Sequence, residues 1–378
     1  MLTSKPTNPS RSSLYFNPAA SAWTSETFPA LLHQTISKFH NTLPGFKPTR
    51  LTRLDSVAKE LGVNVVYVKD ESDRCTLPAF KILGVSWAAF QAIAELTSLS
   101  LDVDLGEISQ AAKAKGITLL AATEGNHGRA IARLAKILNI PAEIFVPSHL
   151  DIATIERIRG EGAQVVIADG DYDQALLAAT EAAVADHTKL HIQDTTFPGY
   201  SKITQWVVDG YSTLLYEIDE QLEGNHPDLI VAPAGCGSFA QAVVRHSKQP
   251  GHGTRVFTVE TDGAPCIWRS LRSGSLQTTD TNDTIMYGMN CGEVSQIAWP
   301  ILKEGVDASA LITDLESHTA VKTLHALGVR AGPCGGATLA ALQQLSSEEK
   351  EQLKLTQDSV VVIICTEGQR DYHIPVSA

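Results

Sequence analysis

A chain of 378 residues exceeds the usual size of one hydrophobic core, so two domains are expected. Its 43% hydrophobic and 19% charged residues are ordinary globular values and exclude a chain that is disordered throughout. A formal charge of −12 argues against nucleic acid or an anionic membrane surface as partner, since both would be repelled.

No stretch approaches the ~18 uninterrupted apolar residues of a membrane span. The first residues, MLTSKPTNPSRSSLYFNPAASAW, lack the apolar core of a secretory signal. They are serine-rich and free of acid before Glu26, a faint sign of organellar import. The six cysteines (Cys75, Cys236, Cys266, Cys291, Cys334, Cys365) show no paired spacing, which points to reduced thiols and a cytoplasmic enzyme.

In chain order, residues 1–45 read as an irregular lead-in with a helical stretch at Phe28–Phe39. VVYVKDE (65–71) reads as a buried strand, and KILGVSWAAFQAIAEL (81–96) as a helix with apolar residues at three-to-four spacing. Thr97–Lys115 forms a polar insertion with a short helix. ITLLAAT (117–123), AEIFVP (142–147), AQVVIAD (163–169) and KLHIQD (189–194) are strands. They alternate with helices over 125–140, 154–162 and 171–186. The rhythm then repeats: a helix through Thr204–Leu222, strand DLIVAPA (228–234), helix SFAQAVVRHS (238–247), strand RVFTVE (255–260) and a helix near Cys266–Leu271. Helices around Thr319–Leu327 and Ala337–Leu345 precede a last strand, SVVVIIC (359–365). Unbroken Val/Ile strands alternating with helices predict an α/β fold of two doubly wound, mostly parallel sheets with helices on both faces. Ligands of such sheets sit beyond the carboxyl ends of the strands.

Five clusters fall at such ends. Lys81, in Pro78-Ala79-Phe80-Lys81, opens a helix, where the helix dipole disfavours an ammonium. It reads either as a solvated surface lysine or as an amine whose pKa the site tunes. In Thr123-Glu124-Gly125-Asn126-His127-Gly128, the glycines allow close approach of a flat ligand, although a helix cap in a tight turn fits equally. Ala234-Gly235-Cys236-Gly237-Ser238-Phe239-Ala240 makes an anion cradle at a helix start. The same loop reads as G-x-G-x-x-A, and Glu260 at the end of the next strand stands where a ribose-binding acid belongs, so an NAD-dependent oxidoreductase is the rival reading. Gln193-Asp194-Thr195 and Cys365-Thr366-Glu367-Gly368 close two further strands as caps or as site residues.

Taken in order, AFKILG, TEGNHG and AGCGSFA resemble the marks of the fold-type II (tryptophan synthase β-like) pyridoxal 5′-phosphate enzymes. VKDES, EGNHGRAIA, QDT-x-x-x-GY-x-KI, TIM-x-G-x-NCGE, GGATLAAL and CTEG resemble the diaminopropionate ammonia-lyase branch of that family, over about Pro44 to Asp371. The resemblance implies that Lys81 forms the Schiff base with the cofactor, Phe80 packs by its ring, and Asn126 bonds the ring 3′-oxygen. It implies that Gly235, Cys236, Gly237 and Ser238 hold the phosphate and that Thr366, or else Cys365, meets the pyridine nitrogen. Asp194 would receive the distal amino group of a small amino-acid substrate. Lys81 would take the α-proton of an L-substrate, and Glu124, on the opposite face, that of a D-substrate. The implied reaction is elimination of ammonia from 2,3-diaminopropionate in a homodimer, and no residues are assigned to a metal. The implied division is a large domain of residues 1–87 and 198–378 around an inserted small domain, 88–197. Two departures leave open another lyase or dehydratase with a different leaving group. Glu124 stands where the branch carries Asp, and Pro333 stands where it carries an acid.

Overall fold

The computed structural model describes residues 14–376. The first thirteen residues, on which much of the import reading rests, lie outside the described residues. The strands are β1 (Tyr15–Phe16), β2 (Arg50–Arg53), β3 (Val65–Asp70), β4 (Thr118–Ala122), β5 (Ala142–Val146), β6 (Gln164–Ile167), β7 (Lys189–His191), β8 (Leu229–Pro233), β9 (Arg255–Thr261), β10 (Ala308–Ile312) and β11 (Val360–Cys365). They form a seven-stranded sheet ordered β1-β10-β9-β8-β11-β3-β2 and a four-stranded sheet ordered β6-β5-β4-β7. Pairing is parallel throughout except at the two edges of the larger sheet, where β1 and β2 run antiparallel. The expected α/β architecture of two doubly wound, mostly parallel sheets is therefore the one observed.

Burial explains why the central strands read clearly. All five residues of β8 and the last five of β11 are buried, as strands with both faces covered by helices must be. By contrast, β10 (ASALI) escaped the sequence reading because Ala and Ser dilute its apolar pattern, and β2 (RLTR) because its ends are exposed.

Among the helices that differ from expectation, two lie beside the site. The single helix read through Thr204–Leu222 is two, Lys202–Gly210 and Ser212–Gln221. The tightened turn at Tyr211 sits where Gly210 crosses helix Ile82–Thr97 at Gly84. A Cβ on Gly210 would lie 2.6 Å from the Leu83 carbonyl oxygen and 2.9 Å from Gly84 Cα. A Cβ on Gly84 would meet Tyr211 and Val207 at 2.6–2.7 Å. The glycine of AFKILG is thus the point where the lysine-bearing helix lies flush on its neighbour, and overpacking there costs about 1–3 kcal/mol. The helix read at Ala337–Leu345 starts earlier, at Pro333, which takes the first helical position that suits proline. Its glycines hid it. Gly335 packs against Cys365 and Gly336 against Ser317 and Val321, with no room for a side chain.

Candidate active site

Lys81 closes the turn ahead of helix Ile82–Thr97. Its aliphatic stem runs past a buried aromatic trio in which the Phe80 ring packs 4.8 Å from Tyr211 and 4.4 Å from Phe239, centre to centre. The side chain is only 18% exposed, and its Nζ donates a 2.6 Å hydrogen bond to Asp194 Oδ2. Burial opposes the ammonium, but the Asp194 carboxylate outweighs it and raises the Lys81 pKa well above the ordinary value. Asp194 responds in the opposite sense. Although burial disfavours its charge, His127 and Lys81 hold its carboxyl far below the usual range. A solvated surface lysine is excluded.

The turn carrying Asp194 is built by the rest of its motif. The Tyr200 hydroxyl donates to the His191 carbonyl and accepts from the Gln193 N–H, at 2.7 and 2.8 Å. The Gln193 amide pairs with both backbone groups of Ala122 at 3.1 Å, tying β7 to β4. His127 anchors Nε2 on the Ile192 carbonyl (2.8 Å) and turns Nδ1 to within 3.5 Å of Asp194 Oδ2. Sequence reasoning passed over this residue. Its signal was the invitation of a buried histidine two positions after the glycine that opens the helix.

The glycine-rich loop after β8 meets the same turn. Ser238 Oγ donates to the Asp194 carbonyl at 2.5 Å, and Cys236 Sγ approaches that oxygen at 3.4 Å. Gly237 has φ +95°, and a Cβ there would lie 2.8 Å from Leu302. At Gly235 a Cβ would press on Cys291 Sγ and the Gly288 carbonyl at 3.1 Å. Glycine is therefore demanded at Gly237, and at Gly235 a side chain would fit only if its neighbours gave way by a few tenths of an ångström. The bare N–H groups of helix Ser238–Ser247 are left as an anion cradle.

In the TEGNHG loop the helix cap is Thr123, not Asn126. Thr123 Oγ1 accepts from the N–H groups of Gly125 (2.9 Å) and Gly128 (3.1 Å). Asn126 is thereby released to reach Glu367 Oε2 at 3.0 Å. Glu367, buried after β11, also accepts from the Cys334 N–H at 3.1 Å, so a carboxylate lies beside the Pro333 corner although the sequence there carries none. Thr366, next to it, is buried as well. Glu124 stands apart, 3.7 Å from His149 and 20% exposed. Burial, then the fields of Asp171 and Asp173, push its pKa up to about 7.

The structure brings Lys81, Phe80, Asp194, Cys236 and Ser238 into one cluster, and Asn126 onto the neighbouring corner with Glu367. It also uses up the residue on which the dinucleotide reading depended. Glu260 is fully buried and accepts from the N–H groups of Ile267 (2.8 Å) and Trp268 (2.6 Å). It caps a helix and faces no groove.

A buried lysine amine facing a glycine-walled anion cradle fits an aldehyde that carries a phosphate, so these residues suit pyridoxal 5′-phosphate. The fold and site define a pyridoxal-phosphate enzyme of fold type II. The profile of the family "Pyridoxal-phosphate dependent enzyme" matches residues 42–367, and the chain belongs to that family. Within it, the chain is 32% identical over 375 residues to diaminopropionate ammonia-lyase of Escherichia coli K12, covering 94% of this chain and 92% of that one. The crystal structure of the Escherichia coli enzyme with an aminoacrylate–PLP azomethine reaction intermediate superposes with a TM-score of 0.84, at 29% identity, over 94% of this chain and 93% of that one. Bovine L-serine dehydratase/L-threonine deaminase is 28% identical over 253 residues, 65% of this chain and 74% of that protein.

Proposed function

We propose that this enzyme eliminates ammonia from 2,3-diaminopropionate, giving with one water a pyruvate and two ammonia. The observation that carries the reading is the 2.6 Å pair of Lys81 Nζ with Asp194 Oδ2, a buried carboxylate already holding an ammonium at the reacting end of the site. The 32% identity to the Escherichia coli lyase over nearly the whole chain supports the same substrate.

The cofactor, when bound, supplies the electron sink that stabilises negative charge at the substrate Cα. Lys81 would hold it, with Gly235, Cys236, Gly237 and Ser238 at the phosphate, Phe80 and Asn126 about the ring, and Thr366 at the pyridine nitrogen. Asp194 serves one ammonium at a time. When the distal ammonium of the substrate takes Asp194 Oδ2, Lys81 Nζ loses the partner that kept it charged, and burial alone then favours the free amine. Lys81 can then take the Cα proton of the L-substrate. Its return to Asp194 accompanies departure of ammonia from Cβ. Glu124, ionising near neutrality, would do the same for the D-substrate from the other side. We further propose that the enzyme works as a cytoplasmic homodimer, with residues 88–197 forming its small domain.

The test is pyruvate and ammonia release from protein loaded with pyridoxal 5′-phosphate, on L- and D-diaminopropionate, L-serine and L-threonine. Fast release from L-diaminopropionate, with two ammonia per pyruvate, is expected. Turnover of the hydroxy amino acids alone would replace this reading with a dehydratase.

A further inference from the structure

At the opposite end of β8 from the glycine-rich loop, three segments converge on one carboxylate. Asp219 lies on helix Ser212–Gln221, His226 in the turn ahead of β8, and His252 in the turn ahead of β9. Among the described residues, these three can each offer one ligand atom within 4.8 Å of the others. The His226 and His252 rings stack 3.7 Å apart, and His226 Nδ1 lies 3.0 Å from Asp219 Oδ1.

A second observation points to a missing positive centre. His246, 6% exposed, brings Nε2 to 2.9 Å from Asp219 Oδ2 without the alignment of a hydrogen bond, and its Nδ1 is buried with no partner. His252 Nδ1 is likewise buried and unpartnered. Imidazoles crowded around a single carboxylate are poorly satisfied by one another, because neutral rings and a carboxylate offer more acceptors than donors, while charged rings repel. We propose that Asp219, His226 and His252 bind a divalent transition cation of the zinc class, with His246 steadying the free oxygen of Asp219. The donor set is nitrogen and oxygen, which suits Zn²⁺, Co²⁺ and Ni²⁺ and not the oxygen-seeking Mg²⁺ or Ca²⁺. His imidazole torsions are soft, so a modest rotation closes the set to bonding distance.

The site is a clip. It fastens a helix to the turns that open β8 and β9, and five-residue β8 separates it from the cofactor loop by roughly 17 Å. It should therefore stabilise the enzyme without entering the reaction. The test titrates untagged holoenzyme with ZnCl₂ by calorimetry, and with CoCl₂ by visible absorption. One equivalent per chain is expected, with a rise in melting temperature. His226→Asn and His252→Asn should each weaken binding at least about 10-fold and abolish the melting shift, while leaving metal-free elimination activity unchanged. Uptake undiminished in the double variant would place the cation elsewhere, for instance on the thiols, and overturn the proposal. Absence of stoichiometric uptake by the parent protein would overturn it equally.

Discussion

Two buried ion clusters, one beside β3 and one between the ends of the two sheets, differ in one respect. Around Arg74 the cluster is closed. The guanidinium forks onto Glu71 at 2.7–2.8 Å and onto Glu217 at 2.6–2.7 Å, while Lys69 bonds Glu217, Gln221 and the Thr49 carbonyl. Two cations balance two anions, and the side chains are 0–6% exposed. Around Lys81 the cluster is open, since Lys81 and Asp194 remain 18% and 12% exposed, and His127 Nδ1 has no hydrogen-bond partner. The closed cluster has geometry good enough to offset desolvation and no partner to exchange. In the open one, an arriving ammonium can displace the resident one. Saturation marks structure, and an exchangeable partner marks chemistry.

The sharpest break is at Lys81. Lys81→Ala should lower elimination by at least about 10³-fold and abolish the yellow colour of the bound cofactor, read by absorption and pyruvate release. The closed cluster should fail differently. Glu217→Ala leaves Arg74 and Lys69 short of a carboxylate and should cost about 3–5 kcal/mol in denaturant unfolding, with substrate preference of the folded fraction unchanged. Asp194→Asn should act first on the reaction, shifting kcat/KM for diaminopropionate against serine by about 10²-fold, the loss of one buried charge contact.

Glu124 tests whether an open carboxylate can be tuned. Its folded pKa of about 7 lies above the unfolded value of about 4.3, so the folded state keeps a proton that the unfolded state releases. Stability therefore falls as pH rises from about 4.5 to 7, by about 3–4 kcal/mol, and stays level above. Glu124→Gln should flatten that fall when unfolding is compared at pH 5 and pH 8. The smallest effect is expected at Glu260, whose pKa burial raises to about 8. Both of its oxygens accept backbone N–H groups, so Glu260→Gln keeps one of these capping bonds, loses the other and should cost about 1 kcal/mol. NAD should leave the melting temperature of both proteins unchanged.

The chemistry was legible in the sequence where backbone demands and side-chain chemistry coincide. Gly237 answers a steric demand, Lys81 and Asp194 an electrostatic one, and the glycine-rich loop stands at the end of the fully buried β8. What stayed hidden depends on long-range pairing. Asn126 looked like a cap because nothing local shows that Thr123 does that work, or that Glu367, 241 residues away, is its partner. VKDES reads as a family mark, yet Lys69 and Glu71 within it acquire their meaning from Arg74 and from Glu217 on a distant helix. Glu260 matched a spacing rule, and only the course of the next helix shows what occupies it.

The sheet order also has a consequence for synthesis. β11, the last of the eleven strands, lies between β3 and β8, and five of its six residues are fully buried. Until Val360–Cys365 leave the ribosome, β3 and β8 present unpaired apolar edges, the kind of surface that draws nascent chains into aggregates. A chain cut before Val360 should therefore collect as insoluble protein. The corner where Glu367, just beyond that strand, meets Asn126 and the Cys334 N–H can form only once that strand has been made.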